Sequence, residues 1–214
     1  MLDHWQVITN LQWSAITAAT NWKQEQEHGS FLLLLPSLMM DWPGPTIEVA
    51  SRYEAGDVLC SPERCAEVTY LVSIGDVQDE LPLGYHNVNR KLRLLVADVV
   101  TEIGATEQDI QQIITLAREL HSVTGRILIH CEAGVSRSSA AALIMYACWL
   151  GPGQEREAMM RVLVQRPIAI PNRRMVALAD RLLEREGRLV AAARESVYGL
   201  RGFDDTGTLL DSIP

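Results

Sequence analysis

No stretch of this 214-residue chain stays apolar long enough to cross a bilayer. Near the start, the five-residue apolar run Phe31 to Leu35 stops at Pro36. Even extended through Met40 it falls short of the roughly 20 residues a spanning helix needs. No basic segment precedes it, as a secretory leader requires, so the expectation is a cytoplasmic protein with no membrane partner. Positive charge is in deficit: 19 Lys and Arg against 27 Asp and Glu leave a net charge of −8. That argues against nucleic acid as a partner, since its binders present a cationic face. The four cysteines, Cys60, Cys65, Cys131 and Cys148, form no Cys-x-x-Cys knuckle and have no histidine pair beside them. No metal, cofactor or disulfide framework is expected, and the thiols point to a reducing compartment. There is also no internal repeat.

What the chain does have is concentrated in nine residues, His130-Cys131-Glu132-Ala133-Gly134-Val135-Ser136-Arg137-Ser138. A short apolar run, Arg126-Ile127-Leu128-Ile129, precedes them with the length of a buried strand. A run of small and apolar residues from Ser139 to Leu150 follows with the length of a buried helix. Cys131 therefore stands at the carboxyl end of a strand, on a loop that feeds a helix N-terminus. The free N–H groups of a helix start and the positive end of its dipole both favour an anion there.

The residue types suit one chemistry. Only a thiolate is nucleophilic, and amides, the helix end and Arg137 all stabilise the anion. The larger benefit lies in a cradle made of the amides from Glu132 to Arg137 together with the guanidinium fork. Such a cradle holds the oxygens of a phosphoryl group through its transition state. A planar fork suits this better than the point charge of a lysine. Gly134 allows a turn that a side chain resists and keeps the amides open. Ser138 is placed to donate a hydrogen bond to the sulfur when it leaves.

His130-Cys131-x5-Arg137-Ser138, filled with Glu-Ala-Gly-Val-Ser, resembles the phosphate loop of the cysteine-dependent protein tyrosine and dual-specificity phosphatases. The resemblance runs from about Val49 to Ala193. It includes Ser51-Arg52-Tyr53, Ala97-Asp98-Val99, Pro171-Asn172-Arg173-Arg174 and Ala179-Asp180-Arg181-Leu182-Leu183 with Arg185-Glu186-Gly187-Arg188. These stretches are similar to a bacterial branch described as predicted protein tyrosine phosphatases. The resemblance implies a three-layer α/β sandwich with a mainly parallel central sheet. It also implies hydrolysis of a phosphorylated protein or small phosphomonoester through a cysteinyl-phosphate, without metal. Cys131 is then the nucleophile, Arg137 the phosphate clamp and Asp98 the acid that protonates the leaving oxygen. Ser138 eases departure of the thiolate, and His130 supports the loop without moving protons. Asn172 caps a helix and braces the loop.

Other residues compete for these roles. Asp98 follows the apolar run Leu92 to Ala97 and should emerge at the same rim as Cys131, but Asp76 and Glu102 are alternatives for the acid. The flanking Val99-Val100-Thr101-Glu102 lacks the Trp-Pro-Asp flap known from tyrosine phosphatases. Arg173 and Arg174 either line the cleft or are surface charges in the first turn of a helix. Glu132 is expected to face solvent, where its charge disfavours a polyanionic lipid headgroup. Cys60 or Cys65 capping Cys131 as a disulfide is a chemical alternative to plain core packing. Cys148 falls on the buried helix. Two other functional readings stay open: a phosphate-binding module or scaffold without turnover, and the same chemistry on a phosphoinositide or an RNA 5′ end.

The remaining pattern is orderly from Thr46. Strands are expected at Thr46–Ala50, Val68–Ile74 and Leu92–Ala97, with a helix start at Ser61-Pro62-Glu63. Thr106-x-x-Asp109 opens a helix whose apolar face is Ile110, Ile113, Ile114, Ala117 and Leu120. The helix from Ser138 to Leu150 stops at Gly151-Pro152-Gly153. Further helices are expected from about Gln154 to Gln165 and from after Asn172 to about Glu186. Strands alternating with helices indicate a parallel sheet, which binds ligands beyond the carboxyl ends of its strands. The domain is assigned to residues 46–195, with a tail at 196–214 and an N-terminal segment, 1–45, of unassigned role. That segment carries Trp5, Trp13 and Trp22, helical spacing through Leu11, Ala15, Ala18 and Ala19, and a turn-rich linker at Asp41-Trp42-Pro43-Gly44-Pro45.

Overall fold

Four short aliphatic runs become the four strands of one sheet: β1 (Thr46–Ser51), β2 (Val68–Gly75), β3 (Lys91–Leu95) and β4 (Arg126–Cys131). The computed structural model describes residues 44–201, with side chains to residue 195. The expectations for the N-terminal tryptophans, the Phe31 to Leu35 run and the end of the tail lie outside the described residues. The strand order is β1-β4-β2-β3 and every pairing is parallel. β4 is thus flanked on both sides, which suits its sequence: Ile127, Leu128 and Ile129 are fully buried. A strand covered on both faces needs such an unbroken apolar run.

Helices cover the two faces. On one lie α1 (Arg52–Cys60) and α2 (Pro62–Ala66). Ala55, Val58 and Leu59 of α1 meet Leu71 and Leu128 of the sheet in a single cluster. Because strand side chains alternate, Val72, Ile127 and Ile129 face the other way. There, α4 (Arg137–Leu150) packs on β4 and β1 and against α3 (Glu107–Leu120), α5 (Glu155–Gln165) and α6 (Arg173–Leu182), while α7 (Arg188–Arg201) packs on α5 and α6. α4 is buried nearly all round, and Ala140, Ala141 and Ala142 let its neighbours approach closely. The result is the three-layer α/β sandwich, with a sheet that is wholly parallel among the described residues. No helix among these residues is long and apolar enough to cross a membrane.

Local chemistry sets the element boundaries. Ser51 and Glu54 close a reciprocal capping box at the start of α1, and Thr106 and Asp109 do the same for α3. The anticipated apolar face of α3 is buried, joined by Leu116. β3 ends at Leu95, two residues sooner than the apolar run suggested. Val96 still donates to the Gly75 carbonyl at 2.8 Å, but its own carbonyl accepts from the Arg137 guanidinium at 3.0 Å. Ladder pairing gives way there to a contact with the site.

The helix expected to run to Glu186 ends at Leu182 instead, and α7 begins after a short break. The cause is Asp180, 5% exposed, whose carboxylate accepts from the backbone amides of Gly187, Leu189 and Val190 at 2.7, 2.9 and 3.3 Å. One side chain satisfies three amides at the start of α7, a stronger attraction than continuing α6. Glu184 and Glu186 take left-handed backbone angles, φ 55° and 54°, to make the turn. α7 continues to Arg201, across residue 195.

Asp180→Ala leaves those amides without acceptors in a buried place, so it should lower unfolding stability by about 3 kcal/mol. Urea unfolding measures this, with the midpoint falling and the slope unchanged.

Candidate active site

The segment from Glu132 to Ser136 lies between the end of β4 and the start of α4, and all five of its carbonyls are held from outside. Arg52 N donates to Glu132 O at 3.1 Å. Arg166 donates to Ala133 O from Nη2 at 3.4 Å and to Gly134 O from Nε at 3.0 Å. Val135 O accepts from Ile170 N at 2.9 Å and from the Ser139 hydroxyl. Ser136 O accepts from Asn172 N at 3.1 Å and Ala140 N at 3.0 Å. The amides of Glu132 to Ser138, by contrast, donate no hydrogen bond among the described residues. A loop with its carbonyls turned outward presents its N–H groups to a common interior, which is the construction of an anion-binding nest.

Gly134 makes that turn, at φ 70°. A Cβ there would stand 2.5 Å from Ser51 N and 2.6 Å from the Ala50 carbonyl carbon, so both the angle and the space demand glycine. The loop is pressed against the end of β1. Ser136 is the N-cap residue of α4, yet its side chain does not cap the helix. Its hydroxyl donates instead to Asp98 Oδ1 at 2.6 Å. The amides a cap would have consumed are left for a ligand.

Cys131 sits at the base of this loop, 1% exposed, with Sγ 3.2 Å from the Ser138 hydroxyl. Ser138 is fully buried in the first turn of α4, so the pairing is fixed by the helix. Arg137, 6% exposed, sends Nη1 to Val96 O at 3.0 Å and to Asp79 Oδ2 at 3.3 Å, while Nε lies 3.6 Å from Asp98 Oδ2. Asp98 sits in a tight turn in which Val99 N donates to Ala97 O at 2.9 Å. Asn172 joins the parts: its Oδ1 accepts from Arg174 N and Met175 N at 3.1 and 3.2 Å, capping α6. Its Nδ2 donates to Asp98 Oδ1 at 2.9 Å and its backbone N holds Ser136 O. Cap and brace are therefore one residue.

The structure thus gathers Cys131, Ser138, Arg137, Asp98, Ser136 and Asn172 around one loop. Of the alternative acids, Asp76 turns its Oδ1 to Val77 N at 2.7 Å, and Glu102 lies on the exposed part of the loop after Asp98. Glu132 is not simply solvent-facing: Arg52 Nε donates to its two carboxylate oxygens at 2.9 and 3.2 Å, balancing its charge. Arg174 donates through Nε to Ala105 O at 2.6 Å and thereby fastens the segment that carries Asp98. Arg173 is an exposed residue of the same helix turn. Arg166, Asp79 and Arg52 complete the surroundings, and no motif spacing points to the first two. Asp79 comes from the connection after β2 and Arg166 from the connection between α5 and α6.

Titration behaviour follows from burial. His130, 1% exposed, is pushed down to about 4, chiefly by burial, against a hydrogen bond from Nδ1 to Cys131 O at 3.4 Å. Its Nε2 is buried without a partner among the described residues. A neutral imidazole that carries loop geometry fits a supporting role. Glu54, which pairs with Arg166, is raised by burial. Hydrogen bonds from Arg166 and Ser51 outweigh that and hold it near 2. Burial pushes the Cys148 thiol up to about 11, leaving it inert. Cys60 lies at the far end of α1 from the loop, about 12 Å along the axis at 1.5 Å per residue. A disulfide between Cys60 and Cys131 therefore requires backbone movement. Among the described residues no group of three His, Cys, Asp or Glu side chains is placed to hold a metal ion.

His130 ties the loop to a pH window. Its folded pKa lies below the unfolded value of about 6.5, so between the two the unfolded chain binds the proton and the folded one does not. Stability should therefore fall as pH drops from 6.5 towards 4, by up to about 3 kcal/mol. Thermal unfolding against pH checks this, and His130→Gln should flatten the curve across that window.

No family model and no curated protein matches the chain. Solved structures do. The human tyrosine phosphatase-like serine/threonine/tyrosine-interacting protein aligns at TM-score 0.50 and 18% identity, over 65% of this chain and 91% of its own. Human DUSP28 aligns at TM-score 0.49 and 21% identity, over 64% and 91%. DUSP15 aligns at TM-score 0.49 and 20% identity, over 76% and 94%. The layers, the parallel sheet and the loop between its central strand and buried helix together give this chain the fold of the cysteine-dependent tyrosine and dual-specificity phosphatases.

Proposed function

We propose that the chain is a cysteine-dependent phosphomonoester hydrolase that acts on phosphotyrosine in proteins. Phosphoserine and phosphothreonine join the substrates where the cleft lets their shorter side chains reach the sulfur. The observation that carries this reading is the inverted loop itself: five carbonyls tied outward, amides open, and the Cys131 sulfur beside the Ser138 hydroxyl at its base. The four cysteines are all free, which suits a cytoplasmic setting where a nucleophilic thiol stays reduced.

The chemistry runs in two steps. The phosphoryl oxygens take the amides of Glu132 to Arg137 and the free edge of the Arg137 guanidinium. The Cys131 thiolate forms a bond to phosphorus while the ester P–O bond breaks, and Asp98 in its acid form gives a proton to the departing oxygen. Water then attacks phosphorus and the S–P bond breaks. Asp98 takes the water proton, and the Ser138 hydroxyl donates to the sulfur as it becomes a thiolate again. Arginine and amides neutralise the transition-state charge, the office a metal ion fills in other phosphoryl-transfer sites.

A phosphate-reading module without turnover is the second reading. It is favoured by the shared fold of a protein described as phosphatase-like and serine/threonine/tyrosine-interacting. The complete set of Cys131, Arg137, Ser138 and Asp98 favours turnover over that reading.

Cys131→Ser should abolish hydrolysis of p-nitrophenyl phosphate while vanadate still binds; full activity in the variant would remove Cys131 from the mechanism. Asp98→Asn should slow phenyl phosphate on the order of 10²-fold and p-nitrophenyl phosphate less than about tenfold, because nitrophenolate leaves without a proton. Steady-state rates for the two esters, beside a release panel of phosphotyrosyl and phosphoseryl peptides, phosphoinositides and nucleotides, decide among the readings.

A further inference from the structure

The exposed apolar side chains are gathered around the candidate site. Apart from Leu95 on the edge strand β3 and Val190 on α7, every large apolar side chain exposed among the described residues lies on a segment tied to the loop after β4 or to Arg137. Tyr53 follows Arg52, whose amide holds Glu132 O and whose guanidinium lies 4.4 Å from the Tyr53 ring centre. Val77 and Leu83, each 77% exposed, belong to segment 76–84, which Asp79 joins to Arg137 and Glu80 joins to Arg52 at 3.2 Å. Val100 and Ile103, the latter 81% exposed, follow Asp98, which accepts from the Ser136 hydroxyl. Ile168 stands between Arg166 and Ile170, and both of these hold loop carbonyls. Scattered singly, such side chains need no explanation; collected on segments that converge on one site, they mark a contact surface.

Charge narrows the choice of occupant. Segments 76–84 and 96–104 carry Asp76, Asp79, Glu80, Asp98 and Glu102 and neither Lys nor Arg. Arginines that reach this rim from elsewhere are already engaged. Arg52 pairs with Glu80 and Glu132, Arg93 donates to Ser73 Oγ and Asp76 O, and Arg166 pairs with Glu54. An anionic lipid surface would meet like charge on both segments. A peptide with apolar and basic residues would instead find complements: Val77, Leu83, Val100 and Ile103 for its apolar side chains, and the exposed Asp76, Glu80 and Glu102 for its cations.

We propose that this rim docks the phosphorylated segment of a protein substrate, and that it selects segments rich in apolar and basic residues beside the phosphoresidue. This rests on the phosphatase reading of the loop. The loop amides and Arg137 read only the phosphoryl group, so any choice among substrates falls to what surrounds it. Two physical terms make that choice. Covering the exposed apolar side chains strengthens binding and lowers KM. Attraction between the acidic segments and a basic peptide adds to this and weakens as salt rises.

The test uses the full chain and phosphotyrosyl peptides of equal length whose flanks are apolar and basic, apolar and neutral, or acidic. In wild type, kcat/KM should be on the order of 10-fold higher for the apolar and basic peptide than for the acidic one, chiefly through KM. That gap should narrow between roughly 50 and 500 mM salt. Leu83→Ser combined with Ile103→Ser should lower kcat/KM for both apolar peptides about fivefold or more. With p-nitrophenyl phosphate, which has no flanking residues, the same double variant should stay within about twofold of wild type. Affinities of the three peptides for Cys131→Ser, measured by fluorescence anisotropy, read the rim without turnover and should keep the same order. Equal affinities across the three peptides overturn the proposal, as does a loss in the double variant that p-nitrophenyl phosphate shares. So does binding to phosphatidylserine vesicles, or a concentration-dependent dimer in sedimentation velocity, that the double variant abolishes while the peptides stay undiscriminated; the rim then belongs to a membrane or to a second copy of the chain. Absence of turnover in wild type would instead unseat the phosphatase reading, while the affinities still decide on the rim.

Discussion

A run of amides can face one point only if the carbonyls between them are satisfied elsewhere, and this constraint organises the candidate site. An unpaired buried carbonyl costs about as much as a lost hydrogen bond, so a loop with its N–H groups inward needs external donors for every C=O. Here the donors come from four other parts of the chain: the start of α1, the Arg166 to Ile170 connection, the first turns of α4, and the Asn172 cap of α6. None of these segments is close to Glu132 in sequence except α4. The loop is thus an outcome of the completed fold, and nothing in its own nine residues would hold it in that shape.

The same segments also carry the polar groups that surround the sulfur. Arg52 gives its amide to Glu132 O and its side chain to the Glu132 carboxylate. Asn172 ends one helix cap, braces the loop and holds Asp98. Arg166 joins the loop carbonyls to Glu54, whose other role is the capping box of α1. Sharing of this kind makes stability and site geometry hard to separate: a change at Glu54 or Asn172 touches a helix end and the loop together. A net charge of −8 is compatible with the anion site proposed for this loop. Fixed amides and one guanidinium would act on an anion at short range, where the charge of the distant surface is screened.

Much of this was legible beforehand, for identifiable reasons. Apolar runs of strand length mark β1, β2 and β4, a long apolar run marks α4, and the apolar spacing of Ile110 to Leu120 marks α3, because each element buries one face or all of itself. Cys131, Arg137 and Ser138 share one loop and one helix turn, so their spacing carries their proximity directly. Asp98 was legible as a residue just past a strand end. Three things were not. The break after Leu182 depends on Asp180 reaching amides seven to ten residues ahead. The early end of β3 depends on a guanidinium that arrives from α4. Asp79 and Arg166 act on the loop across 58 and at least 32 residues of chain, distances over which no local pattern extends.

The order of residues by itself determined a strand, a turn and a buried helix around a cysteine, with an arginine and a serine at the helix start, because those relations are local and set by backbone periodicity. Tertiary structure alone decided that the loop carbonyls find donors outside and that Ser136 gives its hydroxyl to Asp98 instead of capping α4. It also decided that two carboxylates take opposite edges of Arg137. Those outcomes depend on hydrogen-bond partners brought together by parallel strand pairing and helix packing, which link residues far apart in sequence and within about 3 Å in space.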